Sequence, residues 1–336
     1  MHEVTFVLKS GKVAAMDIFI THTSALQYWR INGKAQYIRG RRQFRGKLPV
    51  RPLDTYTLRK STVWGLASPI DVMVNTPHAR RKSKMVRPHV FCGTFPNNSF
   101  IDVGDGLFVA SPELCFFQMA NELPFIKLIE LGFELCGSYS LSETSYSDKE
   151  KRVAEKVPYG RSPLTSTKKL QAFVDRMAGV RGRRPALRAL RYITDNSASP
   201  METILVMLLI LPYRLGGYGL PIPELNSRIT PAKTIKRSSS KAFYSCDLFW
   251  PDVDLVAEYD SDSYHTGAER IASDSKRRNA ITSAGILVIT VTNQQIRSIV
   301  EFEKVAKLLA INMDKQLRYK NPGFLEAQRK LRGLLL

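Results

Sequence analysis

The segment over 199–317 has the most regular pattern in the chain and constrains its fold most strongly. Ser199 is a capping residue and Pro200 a first-turn proline, and together they predict the start of a helix. The segment contains, in order, an apolar helix over 199–213, strands over 242–250 and 255–260, a helix over 266–284, a strand over 286–292 and a helix over 297–317. This alternation predicts an α/β (α+β) fold with a hairpin at its centre.

Acidic residues interrupt the two strands of this hairpin. Asp247 and Glu258 have apolar neighbours, and an unpaired carboxylate is costly to bury. Glu258 and Asp260 are two positions apart on one strand, so their side chains share a face. Mg²⁺ and Mn²⁺ favour carboxylate oxygens. With Glu202 from the preceding helix, we expect Asp247 and Glu258 to hold a divalent metal that polarises a water for phosphodiester attack.

A simpler interpretation of the strand acids remains open at this point. Asp247 and Glu258 can each pair with a nearby Arg or Lys, or cap the turn at Pro251, without binding any metal. A single acid in a strand favours this interpretation. Three acids in one ordered arrangement, Glu202 included, favour the metal site.

Basic residues are distributed unevenly along the chain. Lys and Arg outnumber Asp and Glu by 50 to 30, which gives a formal net charge of +20. Residues 1–194 contribute 31 against 15, residues 195–312 contribute 13 against 13, and residues 313–336 contribute 6 against 2. Because neutralising phosphates supplies most non-specific affinity for nucleic acids, we expect a nucleic-acid partner.

The densest basic stretch covers 181–191, immediately before the acidic segment. We predict that nucleic acid is contacted by Arg181, Arg183, Arg184, Arg188, Arg191, Arg277 and Arg278. The alternative is a solvated helix face that binds nothing in particular. Charge alone does not separate DNA from RNA.

The N-terminal half has its own pattern of strands and helices. Strand-like segments over 70–74 and 86–92 flank a basic turn, which predicts a hairpin or a strand–loop–strand unit. Ser111 and Pro112 predict the start of a helix, and a second helix over 124–136 ends before a glycine.

A polar segment over 138–169, rich in Ser, Thr, Lys and Pro, is typical of an exposed linker. We therefore expect a domain boundary near residue 150. The predicted organisation is a basic α/β domain over 1–150, a basic linker with helices over 151–194, a second domain over 195–320 and a basic tail over 321–336.

Neither a membrane-spanning nor a secretory pattern is found. The longest apolar run, 204–211, is far shorter than the roughly 20 residues a bilayer requires, and it fits a buried helix. The 4 cysteines form no CxxC pair, which argues against a zinc ribbon and a disulfide framework. We expect a reduced, cytoplasmic protein with no membrane association.

Several motifs of the C-terminal third recur together in one known family. They are, in order, Ser199-Pro200-Met201-Glu202, Cys246-Asp247-Leu248-Phe249-Trp250-Pro251, Val256-Ala257-Glu258-Tyr259-Asp260-Ser261 with His265, and Asp274 through Arg277-Arg278 to Ala284-Gly285-Ile286-Leu287-Val288. Over roughly residues 195–310, this order resembles the very-short-patch-repair-like endonucleases of the PD-(D/E)XK superfamily.

The resemblance implies a restriction-endonuclease-like fold, a mixed sheet flanked by helices, and a metal site at Glu202, Asp247 and Glu258. It also implies magnesium-dependent cleavage of DNA, in phage defence or DNA repair. The superfamily lysine expected two residues after the strand acid is Asp260 here. His265 is the local candidate to replace it, by orienting water or stabilising charge on the phosphate.

The N-terminal half resembles AbiEi-type antitoxin or regulator proteins. The resemblance rests on Ile70-Asp71-Val72-Met73-Val74-Asn75, the strand with His89, and the helix opening at Val109-Ala110-Ser111-Pro112-Glu113. It implies DNA binding, with a homodimer or a toxin–antitoxin partner. The alternative to an endonuclease is therefore a catalytically inactive, nuclease-fold DNA-binding regulator of antitoxin type.

Overall fold

The computed structural model describes residues 17–33, 42–48, 66–80, 84–104, 106–141, 159–229, 244–260, 277–279, 281–318 and 322–336. The chain divides into two compact units, Met1–Met119 and Ala120–Leu336. This division falls before the boundary predicted near residue 150, because the helix Phe125–Cys136 packs on helices of the second unit. Each unit contains a mixed sheet and helices, which confirms the α/β class.

The first unit is built on a five-stranded mixed sheet. Its strands are β1 Ile18–Ile20, β2 Ile70–Val74, β3 Val86–Val90, β4 Phe100–Gly104 and β5 Leu107–Ala110. They lie in the order β3-β2-β1-β5-β4. β1 is parallel to β5 and antiparallel to β2, while β4 and β5 form an antiparallel hairpin.

The segments predicted as strands over 70–74 and 86–92 are β2 and β3, but they do not form a hairpin. They run parallel, with Ile70 opposite Val86 and Val74 opposite Val90. Parallel neighbours need a connection that returns the chain along the sheet. That connection includes the 3₁₀ helix Pro77–Ala79, so the strand–loop–strand alternative is correct.

Two helices pack together in the first unit, α1 His22–Asn32 and α2 Pro112–Met119. The indole nitrogen of Trp29 anchors α1 to β5 by donating to the carbonyl oxygen of Ala110 at 2.7 Å. The hydroxyl of Ser111 accepts a backbone N–H of the first turn of α2, as the sequence predicts for an N-cap.

The second unit is built on a four-stranded mixed sheet in the order β6-β7-β8-β9. The strands are β6 Glu224–Ile229, β7 Tyr244–Trp250, β8 Leu255–Asp260 and β9 Leu287–Thr292. β6, β7 and β8 are antiparallel in turn, and β9 is parallel to β8. The predicted hairpin is β7 and β8. β6 was not predicted, because only Leu225 and Ile229 are buried along an otherwise polar edge strand.

Helices precede and follow this sheet along the chain. They are α3 Phe125–Cys136, α4 Thr167–Arg176, α5 Arg183–Leu190, α6 Pro200–Ile210, α7 Asn293–Arg297, α8 Ile299–Asn312 and α9 Phe324–Leu335. The helix predicted over 266–284 lies partly outside the described residues. Within the part that is described, 277–279 and 281–283 are helical.

The apolar run over 204–211 forms most of α6, the buried helix of the second unit. Every residue of α6 from Glu202 to Ile210 is buried, and the helix packs against α3, α9 and β8. The prediction of a buried helix is therefore confirmed. Within the described ranges, no helix is long and apolar enough to cross a membrane.

The segment predicted as a basic tail contains helix α9. Its Leu331 and Leu335 are buried, and the side-chain amide of Gln328 donates to the Tyr218 hydroxyl at 2.8 Å. Arg332 is only 6% exposed, lies over the Phe302 ring at 5.2 Å and donates to the carbonyl oxygen of Ile296. The segment is therefore part of the folded second unit.

Helix α9 packs directly against Gly216, whose φ is +90°. A Cβ there would lie 2.4 Å from the backbone oxygen of Ala327 in α9. Gly285 has a similar φ of +83° with nothing within 4 Å of its Cβ position, so it isolates the cost of the backbone conformation. We expect Gly285→Ala to cost about 1 kcal/mol of unfolding free energy. Gly216→Ala should cost about 1–3 kcal/mol more.

Urea unfolding of the two variants measures this difference directly. Equal destabilisation by Gly216→Ala and Gly285→Ala would show that α9 does not press on this turn.

Candidate functional site

The first turn of α6 orients Glu202. The Ser199 hydroxyl accepts the backbone N–H of Glu202 at 3.1 Å, as expected of an N-cap. The Glu202 side chain turns back, and its Oε2 accepts the backbone N–H of Ala198 at 2.9 Å. Glu202 is 8% exposed, so its carboxylate is held at the buried start of the helix.

The strand register brings polar side chains into one row across the sheet. Leu248 opposite Ala257 is the last pair of the β7–β8 register, and continuing that register places Asp247 opposite Glu258 on the same face. Glu258 lies opposite Thr290 on β9. The Oδ2 atom of Asp247 accepts the backbone N–H of Tyr259 at 2.9 Å. The hairpin therefore brings both predicted strand acids to one face of the sheet.

Asn226 connects this row to α6. It occupies the position opposite Asp247, between the pairs Leu225–Leu248 and Ser227–Cys246. Its side-chain amide donates to Oε2 of Glu202 and to the carbonyl oxygen of Asn196, each at 2.8 Å.

Sequence reasoning did not find Asn226. It lies in a polar strand that was not predicted, and its role depends on cross-strand register. Its φ of +48° is uncommon for a residue other than glycine and is tolerated best by Asn and Asp. The residue type, an Asn between Leu225 and Ile229, was therefore the signal that the sequence offered.

The charge of Asp247 acts on Glu202, so these two carboxylates lie near each other. Burial, followed by the negative charge of Asp247, raises the pKa of Glu202 above its usual value. Burial also raises the pKa of Asp247, although the Tyr259 N–H and the charge of Arg277 act in the opposite direction. Both shifts mean that the folded chain holds these carboxylates at an energetic cost.

Arg277 lies against the acidic row, although it was predicted as a nucleic-acid contact. One guanidinium nitrogen lies 2.6 Å from Oε2 of Glu258, and another donates to the carbonyl oxygen of Ser245 at 3.1 Å. Glu258 therefore has the arginine partner that the ion-pair interpretation predicts. Arg278, its neighbour, is exposed.

The predicted metal-site and catalytic residues are only partly brought together. Among the described residues, the carboxylate oxygens of Glu202, Asp247 and Glu258 do not all lie within 4.8 Å of one another. Asp260 is exposed at the end of β8, opposite Thr292. His265 lies outside the described residues.

The predicted basic surface belongs to α5 and its flanks. Exposed side chains are those of Arg181, Arg184, Arg188 and Arg191, and the last three recur at helical spacing on one face. Arg183 is half-buried and lies 3.8 Å from Asp175, so it is already paired.

Two contacts define the surroundings of α5. The guanidinium of Arg188 lies over the Phe125 ring at 4.7 Å. The segment that follows α5 leads to Asn196, whose carbonyl oxygen accepts from Asn226 beside the acidic row. The basic helix and Glu202 are thus connected by one short, hydrogen-bonded segment.

Comparisons with known proteins give little further information. No family model matches the chain. The chain is 24% identical over 155 residues to the uncharacterized proteins MT2308 and Rv2248 of Mycobacterium tuberculosis, strains CDC 1551 and H37Rv. The match covers 46% of this chain, and the chain spans about half (52%) of the length of these curated relatives. No solved structure matches. The two family resemblances therefore stay predictions.

Burial and mutual repulsion of Glu202 and Asp247 destabilise the folded chain. We therefore predict that removing one of these charges stabilises the metal-free protein. Asp247→Asn keeps a carbonyl acceptor for the Tyr259 N–H while it removes a buried charge and its repulsion with Glu202. We expect the melting temperature in EDTA to rise by a few degrees, since about 1 kcal/mol shifts it by about 2–4 °C in a domain of this size.

The matched control is Asp252→Asn, the same change at an exposed acid of the β7–β8 turn. It should leave the melting temperature unchanged. A fall in the melting temperature of Asp247→Asn would mean that the carboxylate is needed for folding and that its charge is well compensated.

Proposed function

We propose that the second unit is a divalent-metal-dependent endonuclease that hydrolyses phosphodiester bonds in DNA. The observation that carries the proposal is the approach of Glu202 from α6 to Asp247 of the β7–β8 hairpin, whose second strand carries Glu258. Each is held by a contact to the backbone, an amide or a guanidinium. Holding carboxylates together at a cost in stability is typical of a site selected for function.

A divalent cation fits the donor set of this site. In the described contacts, Arg277 pairs with Glu258 and its charge acts on Asp247, whereas Glu202 is held only by neutral donors. The three carboxylates therefore carry more negative charge than this one guanidinium balances when all are ionised. Carboxylate oxygens are the ligands that Mg²⁺ and Mn²⁺ take up in proteins. Glu202 and Asp247 would hold the ion, joined by Glu258 once Arg277 releases it. When bound, such an ion polarises a phosphoryl oxygen and lowers the pKa of a bound water.

Proton transfer is the second task of these side chains. Hydrolysis requires a water oxygen to attack phosphorus, the bond to the leaving oxygen to break, and the proton of the water to pass to a base. We assign this proton to the carboxylate of Glu202, which lies beside the proposed ion. Asn226 and the Ala198 N–H fix its orientation by binding one of its two oxygens.

Arg277 supplies the positive charge that phosphate chemistry needs. Its planar guanidinium matches two phosphate oxygens in the way it matches a carboxylate. In the absence of DNA it balances the charge of Glu258 alone, and a phosphate that enters the site competes for the same donors. Arg277 thereby couples the arrival of a phosphodiester to the release of Glu258.

The exposed arginines of α5 and its flanks supply a surface for the phosphate backbone. Like charges at helical spacing destabilise a helix when nothing binds them. The mutual repulsion of Arg184, Arg188 and Arg191 would be relieved by phosphates that bind these arginines. We propose that these phosphates belong to the DNA that enters the acidic site.

Plasmid nicking tests the proposed activity. We expect the full chain to nick supercoiled plasmid in Mg²⁺ or Mn²⁺ and to stop in EDTA. Glu202→Gln, Asp247→Asn and Glu258→Gln should each lower the rate on the order of 10²-fold or more, the usual scale for one acid–base or electrostatic group. Asp252→Asn, an exposed acid of the same hairpin, should cleave as the wild type does.

Arg277→Ala in the same assay should lose cleavage while calorimetry still detects metal binding, because it removes no ligand. Cleavage that persists in EDTA would overturn the metal requirement. A wild type that binds metal and DNA but cleaves no plasmid, linear duplex or single strand would replace the endonuclease with the inactive regulator.

Salt dependence tests the basic surface. For Arg184→Gln, Arg188→Gln and Arg191→Gln together, we expect the slope of log affinity for duplex DNA against log salt to fall by about 0.9 for each lost phosphate contact. Arg329→Gln, the same change at an exposed position of α9, is the matched control. An unchanged slope in the triple variant would show that these arginines only face water.

A further inference from the structure

Two histidines of the first unit lie face to face, and the proposed nuclease does not use them. The ring of His22, at the start of α1, stacks on the ring of His89 in β3 with centroids 3.7 Å apart and 15° between the ring planes. One possible metal-ligating nitrogen of each ring lies within 4.8 Å of the other. Both side chains are only partly buried.

A buried carboxylate orients one of the two rings. Asp71 in β2 is 2% exposed, and its Oδ1 lies 2.8 Å from Nε2 of His89. The backbone N–H of Asp71 donates to the Ser24 hydroxyl at 2.9 Å, and that hydroxyl donates to Oδ2 at 3.5 Å. A carboxylate on one imidazole nitrogen fixes the tautomer and makes the other nitrogen a better metal ligand.

The placement of His22 is not explained by the needs of Asp71. Arg87 and His89 already lie within 3.5 Å of the Asp71 carboxylate. His22 has a φ of +48°, a left-handed conformation that is uncommon for residues other than glycine. The Gln118 side chain holds this conformation by accepting the His22 N–H at 3.1 Å. Strain of this kind is concentrated at functional sites.

We propose that His22 and His89 form a site for a late first-row transition-metal ion, with Zn²⁺ as the leading candidate and water in the remaining positions. Imidazole nitrogen suits zinc, copper and nickel, whereas magnesium and calcium take oxygen. With Zn–N bonds of about 2.0–2.1 Å, two ligating nitrogens of a tetrahedral site lie about 3.4 Å apart. To ligate one ion, the rings must rotate out of the stack until both in-plane lone pairs point at it, because the lone pairs of stacked imidazoles do not converge. Asp71 supports the site from behind His89 and does not itself ligate.

Zinc calorimetry on the full chain tests the site. The titration uses a variant that carries Glu202→Gln and Asp247→Asn, so that these two carboxylates of the second unit do not compete for zinc. In that background we expect one zinc ion to bind, and His22→Ala or His89→Gln to abolish the binding. Asp71→Asn should weaken it by about 10–100-fold, the usual effect of removing the partner of a ligating imidazole. His78→Ala, at an exposed histidine of the same unit, should change nothing.

A second measurement needs no variant in the cluster. Cu²⁺ titrated into the wild-type chain should give an electron paramagnetic resonance spectrum with coupling to two imidazole nitrogens. The proposal is overturned if no zinc binds in the double-variant background, if zinc binds equally well after His22→Ala and His89→Gln, or if His78→Ala removes the binding. It is also overturned if bound copper shows no imidazole coupling. Because the calorimetry is done with Glu202→Gln and Asp247→Asn in place, its outcome is independent of the endonuclease.

Discussion

The organisation of the second unit depends on keeping carboxylates next to a hydrophobic core. Glu202 lies at the start of a helix that is otherwise apolar, and Glu258 lies in a strand whose neighbours Val256 and Ala257 are fully buried. Each charge requires a partner nearby, because an uncompensated buried carboxylate would unfold a marginally stable domain. The contacts of Ala198, Asn226, Tyr259 and Arg277 meet this requirement.

These partners compensate the charges incompletely, and that fact links structure to chemistry. Neutral amides and backbone N–H groups orient Glu202 and Asp247 but leave the pKa of both raised. A hydrophobic or fully paired arrangement would be more stable, as is often found when buried ion pairs are replaced. The proposed function uses this incomplete compensation, because carboxylates with raised pKa values can gain stability from an incoming cation.

The first unit also buries a carboxylate, Asp71, but compensates its charge in a different way. Asp71 is as deeply buried as any acid of the row, yet two cationic or protonatable side chains and a hydroxyl surround it. Its local charge is balanced, so the chemistry available there is that of imidazole nitrogen. The two units therefore present different donor sets, oxygen-rich in one and nitrogen-rich in the other, and different metals suit them.

Local sequence determined the parts of this protein that depend on neighbouring residues. Ser199 and Pro200 predict the helix that carries Glu202, and the apolar neighbours of Asp247 and Glu258 predict their strands, because capping and alternation act over a few positions. Only the tertiary structure decided that β2 and β3 run parallel, that Asn226 lies opposite Asp247 and that Arg277 reaches Glu258. Strand register and the meeting of distant segments are set by the packing of the whole unit, and no local pattern specifies them.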